Sequence, residues 1–509
     1  MTAALELKGI EKFFGPVHAN RGVSLAVPKG SITGIIGENG AGKSTVMNIV
    51  YGLYRPDGGE ILVDGQALAI ANPRDAIAAG IGMVHQHFML VDAFTVLENV
   101  ILGAEAGAML APASAKARAE LLRLEAEYGL KVDPDALVGD LPVGEQQRVE
   151  ILKALYRGAR ILILDEPTAV LTPQEADQLF RILAVLKEKG ATVILISHKL
   201  REIMAATDLV HVMRAGEVVA TRPTAATNKE ELAELMVGRK VRLELDKAPV
   251  APKDVLLSVR GLGLTSPGDV TLLDDVNLEL RAGEIVCIAG VSGNGQTELL
   301  EVLSGIRGFS RGALTMCGRA VTPQAPAGPA ALRKLGVAHV PEDRHRYGMI
   351  GGFTASETSI LGYHRDFARH GLLDNRAATA HCAELMERYD VRPRRPRQIA
   401  VHFSGGNQQK LVMARETDAK PRVLLIGQPT RGVDIGAIEF IHRELVRLRD
   451  QGCAVLVVSV ELDEVMSLAD RILVMYAGRI VGEAEGASAD ERTLGLMMAN
   501  VWPASGTAA

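Results

Sequence analysis

The residues with the clearest chemical content are a glycine-rich stretch closed by a lysine and a serine, Gly37-Glu38-Asn39-Gly40-Ala41-Gly42-Lys43-Ser44, followed by Thr45. Glycines at these places let backbone N–H groups turn inward on phosphate oxygens, while Lys43 would neutralise phosphate charge and Ser44 would ligate Mg²⁺. Such a loop works only between a strand and a helix, and the run Ser31-Ile32-Thr33-Gly34-Ile35-Ile36 supplies the strand. Further on, Asp165 and Glu166 end a second apolar run, Ile161-Leu162-Ile163-Leu164. A carboxylate at a strand end can hold Mg²⁺ through water, and its neighbour can orient and polarise an attacking water. The chemistry these types and spacings suit is hydrolysis of a nucleoside triphosphate.

The same parts recur in altered form. Gly290-Val291-Ser292-Gly293-Asn294-Gly295-Gln296-Thr297 has glutamine in place of the lysine, and Val423-Leu424-Leu425-Ile426-Gly427-Gln428 has lost both carboxylates. Asp165 and Gly427, Leu141 and Phe403, Thr172 and Asp434, and His198 and Val460 are all 262 residues apart (427 − 165 for the first pair). The loop glycines Gly37 and Gly290 are 253 apart (290 − 37), so nine additional residues are expected between loop and later motifs in the second copy. A fixed offset of that size means a tandem repeat of a large domain rather than a solenoid.

The elements that must position these residues are legible in outline. Runs 161–164 and 193–196 read as strands buried on both faces, as in a parallel sheet, and residues 95–160 turn to helical spacing. Each copy ends in an expected hairpin, residues 209–213 with 217–220 and residues 472–475 with 479–481. The fold class is α/β: two tandem domains, each with a mainly parallel sheet core, an antiparallel β subdomain and a helical insert. The expected boundaries are 1–246, a proline-broken linker at 247–253, 254–500, and a short tail at 501–509 that contains Trp502. Hydrophobic content of 48% and charged content of 23% suit a globular chain with ample core, and a net charge of −5 offers no general pull toward nucleic acid. Cys287, Cys317, Cys382 and Cys453 lack metal or redox spacing and read as small core residues in a reducing compartment. No apolar run approaches the roughly 20 residues of a membrane helix, and the first residues show no signal-peptide pattern. A membrane role would therefore need separate partner chains.

With these motifs in place, the chain resembles the ATP-binding subunit of an ATP-binding cassette importer along nearly its whole length. Residues 141–148, Leu-Pro-Val-Gly-Glu-Gln-Gln-Arg, and 403–410, Phe-Ser-Gly-Gly-Asn-Gln-Gln-Lys, resemble the family's signature loop. The resemblance implies ATP and Mg²⁺ as ligands, with Phe14 against adenine, Gln86 sensing Mg²⁺ and the γ-phosphate, Glu166 as catalytic carboxylate and His198 as switch histidine. Phe14 also reads as an ordinary edge-strand aromatic. In this family two cassettes clasp head to tail, so the resemblance implies one composite site of Phe14, residues 37–45, Gln86, Asp165, Glu166 and His198 with Ser404, Gly405, Gly406 and Asp434. The other would combine Leu264, Gln296, Gly427, Gln428 and Val460 with Pro142, Val143, Gly144 and Thr172, nearly all of them altered. The losses segregate to one site, which leads us to expect one hydrolytic and one degenerate site.

Tandem cassettes with Gly-Asn-Gln-Gln-Lys in the second signature resemble importers of simple sugars and nucleosides. Residues 83–90, 143–150 and 428–432 favour the nucleoside branch, with sugar import as the alternative. The resemblance implies integral membrane permease subunits, two in number, an extracytoplasmic substrate-binding protein, and a peripheral place on the cytoplasmic face of the membrane. Phe88, Met89, Leu90 and Val91 could cup a permease helix or pack the helical insert. The run Arg392-Pro393-Arg394-Arg395-Pro396-Arg397 reads as a solvated loop. A soluble tandem-cassette ATPase acting on ribosomes or DNA fits poorly with the short linker and the negative charge.

Overall fold

The computed structural model describes residues 2–85, 88–104, 110–168, 171, 173–240, 245, 247–249, 253–291 and 293–501, with the side chains of 110–114 and 173–174 excepted. The chain divides into two compact units, Met1–Val241 and Arg242–Ala509.

In the first unit a six-stranded sheet runs in the order Glu217–Pro223, Leu209–Arg214, Ile32–Gly37, Thr192–Ile196, Ile161–Asp165, Ile81–Val84. All pairings are parallel except the outermost, the hairpin expected at residues 209–220. Ile161–Asp165 and Thr192–Ile196 are buried at every position. That explains their unbroken apolar sequence, because a parallel strand is covered on both faces. A second, antiparallel sheet pairs Val17–Pro28, Ala3–Phe14, Gly58–Val63 and Gln66–Ala67. Its alternating residues Leu5, Leu7, Ile10 and Val23 share one core with Ile35 of the parallel sheet and with Val46, Met47 and Ile49 of the helix Lys43–Val50. The helix that follows the glycine-rich loop is thus fixed by apolar packing, which holds the loop in place. The helical insert contains Val96–Ile101, started by a Thr95–Glu98 capping box, then Leu110–Tyr128 and Val143–Tyr156.

The second unit repeats this plan. Its parallel sheet runs Val337–Val340, Val423–Gly427, Ala454–Ser459, Ile285–Ala289, Arg471–Tyr476, Arg479–Glu485, the last pair being the expected hairpin. Its antiparallel sheet comprises Thr271–Arg281, Val255–Thr265, Arg311–Met316 and Arg319–Val321. The insert helices Ala355–Ser359, Asn375–Arg388 and Gly405–Asp418 enclose their own core of Cys382, Leu385, Met386 and Tyr389. The nine additional residues do not form one block. The helix caps Asn72 and Gly328 are 256 apart (328 − 72), and the capping threonines Thr95 and Thr354 are 259 apart (354 − 95). Additions of this size are absorbed by surface connections at little entropic cost.

Three smaller expectations are refined. Cys287, Cys382 and Cys453 are buried, but Cys317 is only partly so, at a turn beside the core under the second unit's antiparallel sheet. The described part of the expected linker packs on the second unit: Lys247 lies 2.9 Å from Asp470, and Arg449 donates to the Ala248 carbonyl at 3.2 Å. The arginine run at 392–397 is a loop whose four arginines are all exposed, with Arg392 and Arg394 pairing with Asp390 and Glu387. Among the described residues no helix is long and apolar enough to cross a membrane. The tail containing Trp502 lies outside the described residues.

Candidate active site

The glycine-rich loop leaves the carboxyl end of strand Ile32–Gly37 and enters helix Lys43–Val50, as its chemistry requires. Two of its glycines cannot be replaced without moving backbone. A Cβ on Gly37 would lie 2.3 Å from the Met213 carbonyl oxygen. One on Gly42, where φ is 92°, would lie 2.5 Å from the Ala19 carbonyl oxygen and 2.6 Å from Asn20 Nδ2. Asn20 in turn donates to the Gly42 carbonyl at 3.1 Å, so the antiparallel sheet braces the loop from one side. Lys43 is 5% exposed and bends back over the loop, donating from Nζ to the carbonyls of Gly37 (2.8 Å) and Glu38 (3.1 Å). Burial lowers its pKa, against the opposing fields of Glu166, Asp165 and Glu38.

Two carboxylates face this loop. Asp165, the last residue of its strand, accepts from Ser44 Oγ at 3.3 Å, and burial raises its pKa. Glu166 stands on a positive φ of 47° with its amide donating to the Ile196 carbonyl at 2.9 Å, which turns its side chain toward His198. His198 Nδ1 and Glu166 Oε1 are 2.9 Å apart. Burial pushes the Glu166 pKa up, but the hydrogen bond and charge of His198, with Lys43 and Lys199, outweigh it and leave the carboxyl below its ordinary range. Glu166 is therefore an ionised acceptor at neutral pH, suited to orienting a water rather than donating a proton to it.

A layer behind these residues was not anticipated from the sequence. Glu202, buried on the next helix, bonds Thr168 Oγ1 and accepts from Ser197 Oγ at 2.7 Å, and Ser197 Oγ accepts from the Lys199 amide at 3.0 Å. Gln147 Nε2 donates to the Pro167 carbonyl at 2.8 Å. These contacts fix the strand ends that carry Glu166 and His198. The signal for them was a glutamate four residues beyond His198, in the first turn of the helix Leu200–Ala206. Phe14 ends its strand with its ring 41% exposed, edge-on to Tyr54 at 5.3 Å and with Lys12 Nζ 5.5 Å from its centre. Gln86 and Thr172 lie outside the described residues.

In the second unit the loop keeps its form, with Gly293 and Gly295 at φ of 88° and 101° against 84° and 92° for Gly40 and Gly42. Gln296 lies where the lysine does and donates from Nε2 to the Val291 carbonyl at 3.1 Å. Thr297 Oγ1 donates at 2.7 Å to Glu342 Oε2, a carboxylate borne by the segment after the edge strand, not by the strand end. The strand end itself has no room for one. A Cβ on Gly427 would meet Leu300 Cδ1 at 2.8 Å and the Glu342 amide nitrogen and Cβ at 3.1 Å. Gln428 keeps the positive φ of Glu166 but spends its Oε1 on the Val460 amide at 3.3 Å. Gly427→Asp is expected to overpack this site by about 1–3 kcal/mol and to lower the melting temperature by roughly 2–10 °C, without creating new hydrolysis. Calorimetry with an ATPase assay checks both halves of that expectation.

The second unit's signature residues do come together. Ser404 caps the helix Gly405–Asp418 and its Oγ accepts from Asn407 Nδ2 at 2.8 Å. A Cβ on Gly406 would lie 3.1 Å from Asp434 Oδ2, so Asp434 lies directly against this loop. Asp434 also accepts from the Ala437 amide at 2.8 Å as the cap of its own helix.

A parallel sheet with a glycine-rich loop, a lysine, and paired carboxylates at the next strand end defines a phosphate-loop nucleoside triphosphatase, here in two copies of which one is altered. The family model described as ABC transporter matches residues 20–169 and 273–431. The chain is 46% identical to the nucleoside import ATP-binding protein NupA of Lactococcus lactis subsp. cremoris, over 97% of each chain. It is 44% identical to the guanosine import ATP-binding protein NupO of Bacillus subtilis over 98% of each, and 45% identical to the glucose import ATP-binding protein TsgD13 of Haloferax volcanii over 99% of this chain and 97% of that one. The chain belongs to the ABC transporter family.

Proposed function

We propose that this protein is the ATP-hydrolysing subunit of an importer and that its cargo is a nucleoside. The observation that carries the ATPase reading is the Lys43, Asp165, Glu166 and His198 constellation on a formed phosphate loop. In this reading the loop amides and Lys43 hold the β- and γ-phosphates. Ser44 and Asp165, hard oxygen donors 3.3 Å apart, fit the Mg²⁺ that accompanies ATP, with Gln86 completing the set by family resemblance. The metal would neutralise charge on the phosphate oxygens. Glu166 accepts a hydrogen bond from the attacking water and aligns it with the γ-phosphorus, while His198 holds Glu166 ionised and in place.

The head-to-tail clasp of the family adds Ser404, Gly405, Gly406 and Asp434 of the second cassette to this site and leaves the second loop in a partnership with Pro142, Val143 and Gly144. One engine and one silent partner is the consequence. The second cassette then serves chiefly as the signature-bearing half. The domain boundaries we propose remain 1–246 and 254–500 around the 247–253 linker.

A membrane role follows from partners: two permease subunits, an extracytoplasmic substrate-binding protein, and a peripheral position at the cytoplasmic face. Met89 is 66% exposed and Val91 37%, so part of the apolar segment after Gln86 stands at the surface, where a permease contact could form. Nucleoside cargo rests on the motif likeness at residues 83–90, 143–150 and 428–432 and on the names of the nucleoside-importing relatives. The glucose importer of similar identity keeps sugars as the specific alternative. Uptake of labelled nucleosides, pentoses and hexoses in cells carrying the wild-type gene or Lys43→Ala decides between them. Nucleoside uptake is expected to fall to background in the mutant while sugar uptake is unchanged; the reverse pattern moves the protein to the sugar branch.

A further inference from the structure

The second cassette carries an arginine that its first counterpart lacks. Arg344 lies in the segment after the edge strand Val337–Val340. The edge strands end at Val84 and Val340, 256 residues apart (340 − 84), so the matching residue of the first cassette is Phe88 (344 − 256). Arg344 is half-buried, and this desolvation lowers the pKa of its guanidinium, yet it remains a cation. Its Nε donates to Gln408 Oε1 at 3.1 Å and its Nη1 to the Arg431 carbonyl at 3.2 Å. A Cβ on Gly405 would lie 2.8 Å from Arg344 Nη2, so the guanidinium fills the space against the signature glycine. Gln408 in turn donates to the carbonyls of Val401 and Phe403 at 3.1 and 3.0 Å, directly before Ser404.

The first cassette has only the lower half of this arrangement. Gln146 makes a similar carbonyl clamp, to Val138 and Leu141 at 3.2 and 3.0 Å, but among the described residues no arginine donates to it, and its signature loop starts with Pro142. Among the described residues the charged latch is found in the cassette whose signature loop is intact. It joins three segments that are remote in sequence: the one after the edge strand, the signature loop, and the turn at Arg431 that precedes Asp434.

We infer that Arg344 is a positioning residue that holds the second cassette's signature loop in its working geometry and ties that loop's movement to the segment after the edge strand. The inference rests on the reading that this loop serves the nucleotide bound at Lys43. Arg344 acts through Gly405, Gln408 and the Arg431 backbone. A planar guanidinium with donors in two directions is required, because a lysine ammonium cannot engage both acceptors while filling the space against Gly405.

The test is ATP turnover of the assembled transporter, with ATP affinity and melting temperature of the subunit measured alongside. Arg344→Ala is expected to lower kcat at least tenfold at unchanged KM, while ATP affinity stays within about twofold, because Lys43 and its loop are untouched. Arg344→Lys should recover only part of the loss, and Gln408→Ala combined with Arg344→Ala should cost little more than Arg344→Ala alone. Turnover within twofold of wild type in Arg344→Ala overturns the inference, as does a fall in affinity and melting temperature in step with kcat. Lys43→Ala serves as control: if it still turns over ATP, the one-engine reading fails first. If it is inactive and Arg344→Ala is not, only the positioning role fails.

Discussion

Glu166→Gln should leave ATP bound and almost unhydrolysed, with turnover down about 10²–10⁴-fold, the range for losing a positioned general base. The loss is electrostatic before it is geometric. Glu166 is isosteric with glutamine, its backbone is already turned by a φ of 47°, and Gln428 adopts the same φ of 47° in the second cassette, so the substitution introduces no new strain. What it removes is the ionised acceptor. His198 holds the Glu166 carboxyl below its ordinary range, and a neutral amide offers a water one weak acceptor and a competing N–H. Substrate affinity should be kept or raised, since a negative charge beside the phosphates is lost while Lys43 stays. Trapping labelled ATP on the variant and following its release as ADP checks this. Two nucleotides turning over at equal rates would contradict the single-engine proposal, and wild-type turnover would remove Glu166 from the mechanism.

His198→Ala separates the two contributions of the pair. Without the imidazole, burial acts unopposed by its strongest counterweight and the Glu166 pKa should rise. The acid limb of the pH–rate profile should then move to higher pH, because a group with a raised pKa is ionised only further up the scale. Steady-state ATPase rates between pH 5 and 8 measure the shift, and an unmoved limb would assign His198 a purely geometric role.

How much of this was legible in the chain follows a physical divide. Strands such as 161–165 and 192–196 announce themselves because burial on both faces demands unbroken apolar sequence. The phosphate loop announces itself because only glycine tolerates the approach of the Met213 and Ala19 carbonyls at Gly37 and Gly42. The duplication made the lost residues visible by subtraction. What sequence could not give was replacement from elsewhere in the fold. Gly427 reads as a simple deletion of function, but the structure shows Glu342 occupying the vacated space and bonding Thr297, from a segment that follows a different strand. Glu202 was hidden for a similar reason: its value lies in Thr168 and Ser197, neither of which marks itself by type or spacing. Arg344 belongs to no motif legible in the sequence, and only its contacts with Gln408 and Arg431 give it a place.

The largest asymmetry is expected between two substitutions at equivalent loop positions. Lys43→Ala removes a cation that is 5% exposed and already oriented over the loop. Losing one member of a buried charge pair costs about 2–5 kcal/mol, or roughly 30- to 4,000-fold in ATP affinity, and transport should fall to background. Gln296→Ala removes one neutral hydrogen bond, to the Val291 carbonyl at 3.1 Å, worth about 1 kcal/mol. No charge is lost, and the carboxylate that answers Thr297 is Glu342, which the substitution leaves alone. Uptake should therefore stay within about threefold of wild type, with a small drop in melting temperature. Parallel uptake and ATP-binding measurements on the two variants decide the matter. Equal losses would mean that both loops hold nucleotide during turnover, and the lysine-to-glutamine exchange would then have to be read as a retuning of the second site, not its retirement.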